Sequence, residues 1–382
     1  MNDTLLEPIQ SIINDRRSQA RKWKSKGGKV VGYLSNNIPL ELIEAAGMMP
    51  FHLNGDPKQN TEHADEFMEP AFDPITRVIF DSLLKGDFEF VDLILLPRSN
   101  DAQQRLYYYI CEIQRKHPHY KLPPVFLVDL LSSPRATTEK HNLLKFKEFL
   151  TFLESFTESV IDEQKISAAI KSYNLVRNQL REFNHYRADP NSALSSLDAY
   201  HAYSATQCLT VEDLTQALTK ILATLEEKLK LKTRDDLEVG TKKRFILAGN
   251  GVDHPDLHRF LDSLGATVAG DYHSYGNHFL VTQINEEIDP LEAITEHYYR
   301  DTKSSRSFNF DPEEIVRFAK QQNASGILFH YLKKEEAITW LYPKQQLAAK
   351  EHGLKVVMLP EQDYETKTDV MQPLLQDFID SL

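Results

Sequence analysis

The densest group of side chains able to do chemistry lies at residues 271–278, directly after a short apolar strand. An imidazole such as that of His273 can act as a general acid or base near neutral pH. A tyrosine hydroxyl, at Tyr272 or Tyr275, can donate a hydrogen bond to a carbonyl oxygen. We therefore predict Asp271, His273 and Tyr275 as catalytic candidates, against the alternative that such loop residues serve only the fold.

A second candidate loop also follows an apolar strand, and here two glycines flank Asn250. Gly249, Asn250 and Gly251 resemble part of a phosphate-binding loop, but His254 stands where the full Gly-x-Gly-x-x-Gly pattern needs its last glycine. Backbone N–H groups at the start of a following helix favour an anion. The alternative is that the glycines only permit a tight turn into that helix.

The elements that must position these loops alternate in type along the chain. Short apolar runs alternate with amphipathic helices before residue 138 and again after residue 240, which predicts parallel βαβ units. Between them the strand signal disappears, and apolar residues recur every three or four positions as in helices. We predict an α/β protein with two doubly wound parallel-sheet domains, Rossmann-like or flavodoxin-like, separated by a helical module. The predicted boundaries are residues 1–137, 138–240 and 241–382.

Ligands of doubly wound folds bind in the crevice at the carboxyl ends of the strands. The sequence therefore predicts a crevice lined by the ends of both sheets. His330 and Tyr331 end another predicted strand, and we expect them to face the same crevice as residues 271–278.

Composition excludes several classes of function. The 382 residues are enough for two or three domains. The net charge is -12, with 44 Lys and Arg against 56 Asp and Glu, which argues against nonspecific nucleic-acid binding. No apolar run approaches the roughly 20 residues that cross a bilayer. We expect a cytoplasmic protein with no membrane partner, in which Cys111 and Cys208 are buried free thiols.

Residues 32–50, which read GYLSNNIPLELIEAAGMMP, resemble the 2-hydroxyacyl-CoA dehydratase and benzoyl-CoA reductase family. The resemblance continues in order along nearly the whole chain, through KGDF at 85–88, LAG at 247–249, LGA at 264–266, GD at 270–271 and DPL at 289–291. It implies a subunit that pairs with a homologous subunit, binds an acyl-CoA thioester and holds a 4Fe-4S cluster. It also implies an ATP-dependent activator that supplies one electron at very low potential.

In that family three cysteines ligate the cluster. The resemblance places the three ligand positions at Asp73, Asn100 and Glu335. Asp101 directly follows the second of them. Iron–sulfur clusters need thiolate donors, and Cys111 and Cys208 stand elsewhere in the sequence. The sequence therefore predicts a degenerate cluster site with no conventional cluster and no resident metal.

The replacement side chains all offer oxygen, the ligand atom that hard divalent cations prefer. The former cluster pocket is then a cation site, a polar acyl-CoA pocket, or a solvated remnant, and we favour the remnant. The leading hypothesis for function is a cluster-free subunit that binds acyl-CoA, with its phosphate at Gly249, Asn250 and Gly251, or that serves as a structural partner. The alternatives are an active dehydratase (a lyase) or reductase (an oxidoreductase) with an unusually ligated 4Fe-4S cluster, and a small-molecule-binding regulatory module.

Overall fold

The computed structural model of the protein describes residues 6–231, 243–278, 282–301 and 310–382. Within these residues eight strands form two parallel four-stranded sheets. The strands are β1 (Val30–Tyr33), β2 (Met49–His52), β3 (Leu93–Pro97), β4 (Val125–Val128), β5 (Lys243–Gly249), β6 (Ala266–Tyr272), β7 (Gly326–Leu332) and β8 (Lys355–Gln362). Their orders, β2-β1-β3-β4 and β6-β5-β7-β8, are the same in both sheets. The predicted fold class is confirmed.

Fifteen α-helices surround and connect the sheets in the described part of the chain. The helices that accompany the first sheet are α1 (Glu7–Asn14), α2 (Arg16–Ser25), α3 (Leu40–Ala45), α4 (Glu62–Asp65), α5 (Pro74–Lys85) and α6 (Asp101–Lys116). The helices between the sheets are α7 (Ala136–Thr157), α8 (Glu163–Ala188), α9 (Ser196–Ala205) and α10 (Val211–Leu231). The helices of the second sheet are α11 (Asp256–Ser263), α12 (Pro290–Arg300), α13 (Glu313–Gln321), α14 (Tyr342–Glu351) and α15 (Thr368–Ser381). None of these helices has both the length and the apolar composition required to cross a membrane.

Two helices begin at places that the sequence pattern did not predict. The alternation of elements in the sequence predicts a helix over residues 335–352, but a 3₁₀ turn occupies Ile338–Leu341 and α14 begins only at Tyr342. Pro343 explains the start, because proline has no N–H and is tolerated in the first turn of a helix. The sequence also predicts a helix over residues 374–382, whereas α15 begins at Thr368 and contains Pro373 in its interior.

The central strands are buried because helices cover both faces of each sheet. Every residue of the central strands β1, β3 and β7 is buried, as is every residue of the edge strand β2. The edge strand β8 is buried only at Val357 and Leu359. This pattern is typical of parallel sheets, and it leaves the loops at the strand ends as the places where polar side chains can reach a ligand.

A buried ion pair joins three parts of the fold. Arg177 of α8 places Nη2 at 2.5 Å from Oε1 of Glu41 in α3, and neither side chain is exposed to solvent. The hydroxyl of Tyr298 in α12 donates to Oε2 of Glu41 at 2.9 Å. One carboxylate of α3 thus contacts both a helix between the sheets and a helix of the second sheet. The predicted domain boundaries stay predictions.

Candidate functional site

A cavity of about 200 Å³ lies between the carboxyl ends of the two sheets. In the first sheet its walls come from residues 34–36 after β1 and residues 99–100 after β3. In the second sheet they come from residues 248–251 at the end of β5 and residues 331–332 at the end of β7. These pairs of neighbouring strands are where the chain reverses its direction of winding, which is the usual ligand position in such folds.

The three positions that the resemblance gives to cluster cysteines all border this cavity. Asp73 precedes α5, where its Oδ1 accepts a hydrogen bond of 2.9 Å from the Thr76 N–H and its Oδ2 accepts one of 2.6 Å from the Thr76 hydroxyl. Asn100 precedes α6, where its Oδ1 accepts a hydrogen bond of 2.8 Å from the Gln103 N–H. Both side chains are therefore N-caps, which satisfy backbone donors that have no partner within the helix.

Glu335 makes the equivalent contacts on the side of the second sheet. Its Oε1 accepts hydrogen bonds from the N–H groups of Ala337 at 2.8 Å and Ile338 at 3.1 Å, at the start of the 3₁₀ turn. Its Oε2 accepts a hydrogen bond of 3.0 Å from Nδ2 of Asn250. Both carboxylate oxygens are thus engaged by donors of the protein.

The donor set of this cavity does not fit an iron–sulfur cluster. Asp73, Asn100 and Glu335 supply oxygen and amide atoms but no thiolate. Cys111 and Cys208 are free thiols that do not border the cavity, and Cys208 is buried as predicted, whereas Cys111 is only half-buried because it lies on the outer part of α6. In the described part of the chain, no three His, Cys, Asp or Glu side chains are grouped as metal ligands. Asp101, the first residue of α6, is not among the residues that line the cavity.

The structure places Asp271 behind the cavity wall. Its Oδ2 lies 2.7 Å from Nη1 of Arg187 in α8, and its Oδ1 lies 2.9 Å from Nε2 of His258 in α11. Burial alone raises the pKa of this carboxyl, but Arg187 and the histidine hydrogen bonds outweigh burial and hold the pKa well below its ordinary value. Asp271 is therefore a buried anion that ties β6 to two helices.

His273 lines the cavity, and protein groups face both of its ring nitrogens. Nδ1 accepts a hydrogen bond of 3.3 Å from the Tyr275 N–H, and Nε2 lies 3.4 Å from Oδ1 of Asp271. This arrangement favours the tautomer with the proton on Nε2 and makes Asp271 a group that orients the ring. The catalytic assignment of these three residues stays a prediction.

Tyr275 also lines the cavity, where its ring meets that of His52 edge to face, with centroids 5.1 Å apart. Burial, then the negative charges of Asp253 and Asp73, raises the pKa of the Tyr275 hydroxyl well above its usual value. The hydroxyl therefore remains protonated at neutral pH.

The glycine loop is shaped by close contacts within the protein. Gly249 has φ +96°, and a Cβ there would lie 2.2 Å from the carbonyl oxygen of His330. The Asn250 N–H donates to that same oxygen at 2.8 Å, and Oδ1 of Asn250 accepts from the Leu332 N–H at 3.0 Å. The Asn250 N–H is thus engaged with β7, so a CoA phosphate at this loop would have to bind other donors. That role stays a prediction.

Other residues of the cavity differ from the sequence-based expectation. Tyr331 borders the cavity as expected, whereas His330 is not among the lining residues and places Nδ1 at 3.2 Å from the Asn250 carbonyl oxygen. Gln103 and Gln345 line the cavity although no sequence pattern singled them out. A glutamine in an amphipathic helix usually indicates a solvent-facing position, so no local signal in the sequence marked Gln345 as a cavity residue.

Comparison with known proteins identifies the relatives of this fold and site. Residues 36–382 match the family described as 2-hydroxyglutaryl-CoA dehydratase, D-component. The chain is 24% identical over 321 residues to a subunit of benzoyl-CoA reductase from Thauera aromatica, a match that covers 81% of this chain and 80% of that one. It is 20% identical to the beta subunit of (R)-2-hydroxyglutaryl-CoA dehydratase of Acidaminococcus fermentans, over 99% of each chain. It is also 20% identical to the (R)-phenyllactyl-CoA dehydratase beta subunit of Clostridium sporogenes, over 100% of this chain and 99% of that one.

The resemblance predicted from residues 32–50 is confirmed, and the chain belongs to the 2-hydroxyglutaryl-CoA dehydratase D-component family.

Proposed function

We propose that this chain is a cluster-free subunit of a dehydratase-type or reductase-type complex, and that it pairs with a homologous subunit that carries the iron–sulfur cluster. One observation carries the proposal: Asp73, Asn100 and Glu335 border a single cavity, and each binds the backbone at the start of a helix or turn. The three relatives named above are themselves subunits, which supports an assembly with a partner.

The chemistry of the replacements supports a stable site without metal. Asp and Asn are among the best N-cap residues, and each cap stabilises its helix by about 1 kcal/mol relative to alanine. Their oxygens replace soft thiolate donors with hard ones that the protein itself already uses. A low-potential electron therefore has no acceptor at this site, and we assign the redox step to the partner subunit.

The charge of the cavity favours the structural-partner form of this proposal over the acyl-CoA-binding form. Among the lining residues that the structure describes there is no Lys or Arg, whereas Asp73, Glu314 and Glu335 are carboxylates. Coenzyme A carries several negative phosphate charges, which need cations or free N–H groups. We therefore expect the isolated chain to bind acyl-CoA weakly or not at all, and its partner to supply the phosphate contacts.

The experiment is anaerobic co-expression of the tagged chain with a cysteine-bearing family member from the same genome. We expect an equimolar complex that contains one cluster and keeps its iron when Cys111 and Cys208 of this chain are both changed to serine. We also expect the iron to disappear when the ligating cysteines of the partner are changed. Failure to associate, or loss of iron from the double serine variant, would contradict the proposal.

Equilibrium dialysis with an acyl-CoA separates the two forms of the proposal. Binding by the complex but not by the isolated chain supports a structural partner, whereas tight binding by the isolated chain supports an acyl-CoA-binding subunit.

A further inference from the structure

Two polar side chains lie on the second-sheet wall of the cavity. Tyr331 at the end of β7 is 2% exposed, Gln345 of α14 is 7% exposed, and both line the cavity. Neither is among the described side chains whose fully buried polar atoms lack a partner, so water can reach the phenol and the amide in the unliganded cavity. A ligand that enters the cavity can exchange hydrogen bonds with both groups.

The opposite wall offers matching groups from the first sheet. The Oε1 atom of Gln103 in α6 is buried and has no hydrogen-bond partner among the described residues. Asn100 gives its Oδ1 to the Gln103 N–H, which leaves its NH₂ group as a donor at the cavity wall. The cavity thus presents uncharged donors and acceptors from both domains to whatever occupies it.

The charges around the cavity disfavour an anion. Among the described residues that line it, Asp73, Glu314 and Glu335 carry carboxylates, and none is Lys or Arg. The lining also contains the imidazoles of His273 and His278. Protein donors already bind Asp73 and Glu335, and the Tyr272 hydroxyl bonds Glu314. An anionic ligand that enters the cavity would lose its hydration and gain no counter-ion, so its binding free energy would be unfavourable.

The rest of the lining is apolar. Leu34, Ile75 and Ile79 contribute from the first domain, and Ile338 and Leu341 contribute from the 3₁₀ turn before α14. Small-molecule sites combine such apolar walls with a few polar groups that fix the orientation of the ligand. The ligand that fits has an uncharged polar head and an apolar body.

We propose that this cavity binds a small uncharged molecule with a carboxamide-like head on an apolar body. The head exchanges hydrogen bonds with Gln345, Tyr331 and Gln103, and the cavity rejects the carboxylate of the same shape. This binding function goes beyond the subunit role proposed above and does not depend on it.

The test uses three probes that share one alkyl body, hexanamide, hexanoate and hexylammonium, titrated into the purified full-length chain and followed by protein-observed NMR. We expect saturable binding of hexanamide, and binding of hexanoate that is weaker by about tenfold or more because its charge has no counter-ion in the cavity. Equal or tighter binding of hexanoate, tighter binding of hexylammonium, or no saturable binding of hexanamide would each overturn the proposal.

Two variants and one control connect binding to the named side chains. Gln345→Met and Tyr331→Phe keep the side-chain shape and remove the polar group, so each should weaken hexanamide binding about five- to tenfold. The matched control, Gln376→Met on the exposed face of α15, should leave hexanamide affinity unchanged. Unchanged hexanamide affinity in Gln345→Met overturns the proposal.

Discussion

The side-chain amide of Asn250 donates a hydrogen bond of 3.0 Å to Oε2 of Glu335, and so joins the loop after β5 to the segment after β7. Glu335 stands where the resemblance places a cluster cysteine, yet both of its oxygens bind donors of the protein. The position is therefore built as part of a hydrogen-bonded scaffold. Substitutions in this scaffold, and in the fold that holds it, should have measurable consequences.

The cap at Asp73 gives a prediction about stability. Asp73→Ala removes the acceptor of the Thr76 N–H and should lower the free energy of unfolding by about 1 kcal/mol, measured by urea denaturation. Asp73→Asn keeps a cap and removes a carboxyl whose pKa burial raises, against the opposing effect of the Thr76 hydrogen bonds. We expect it to stay within about 0.5 kcal/mol of the parent protein. Equal losses in both variants would show that capping is not the role of this side chain.

Breaking the buried ion pair of Glu41 and Arg177 should lower the free energy of unfolding by more than the loss of a helix cap does. Arg177→Met leaves the Glu41 carboxylate buried without its cation, so the free energy of unfolding should fall by about 3–5 kcal/mol. Adding Glu41→Gln, which still accepts the Tyr298 hydroxyl, should recover part of that loss. The exposed pair of Arg115 and Glu112 is the control, and Arg115→Met should cost less than about 1 kcal/mol. A loss of that small size in Arg177→Met would contradict a structural role for the buried pair.

Buried histidines predict the response of the fold to acid. Burial lowers the pKa of His330 to about 4, and burial together with the charge of Arg16 holds the pKa of His52 well below its ordinary value. The unfolded chain binds these protons near its ordinary histidine pKa of about 6.5, while the folded protein does not. Stability that His330 contributes above about pH 6.5 is therefore lost as the pH falls toward 4, by up to about 1.4 kcal/mol per pH unit, and His52 adds a loss of the same sign below about pH 6.5.

A variant at His330 tests that slope. Urea denaturation across this pH range should show a shallower loss of stability in His330→Gln than in the parent protein. His119→Gln, at an exposed position, is the control and should leave the slope unchanged. An identical slope in all three proteins would contradict the assignment.

Restoring the thiolates tests whether the three positions share one site. We expect the triple variant Asp73→Cys, Asn100→Cys and Glu335→Cys to take up iron and sulfide on anaerobic reconstitution, because all three positions border the same cavity. Each single variant should take up none. The variants lose caps worth about 1 kcal/mol each, so thermal melting must first show that the triple variant is folded. A folded triple variant that takes up no iron would contradict the shared site.

Local sequence signals predicted the elements better than the contacts between them. The sequence predicts a helix over residues 74–85, since Pro74 suits a first turn and Gly86 can adopt the left-handed conformation that ends a helix, and α5 has these bounds. The pairing of Asp271 with Arg187 was not predictable, because it joins β6 to a helix far away in the sequence. Polar pairs of this kind depend on tertiary packing, which leaves no local periodic pattern.

The candidate site was predicted in part. The strand alternation indicated a crevice at the carboxyl ends of both sheets, and the resemblance indicated which three positions meet there. The sequence predicts a helix from residue 103, but α6 begins at Asp101, and this earlier start makes Asn100 the N-cap. Helix ends are the places where sequence patterns are least sharp. Gln345 lines the cavity from α14, and no local pattern marked it.

The most direct test of the central claim is the iron and acid-labile sulfide content of the isolated chain, purified without oxygen and with its natural sequence. We predict no stoichiometric iron or sulfide and no brown cluster absorbance, because the three expected ligand positions hold Asp73, Asn100 and Glu335. Iron and sulfide in the proportions of a 4Fe-4S cluster, bound to this chain alone, would contradict that claim.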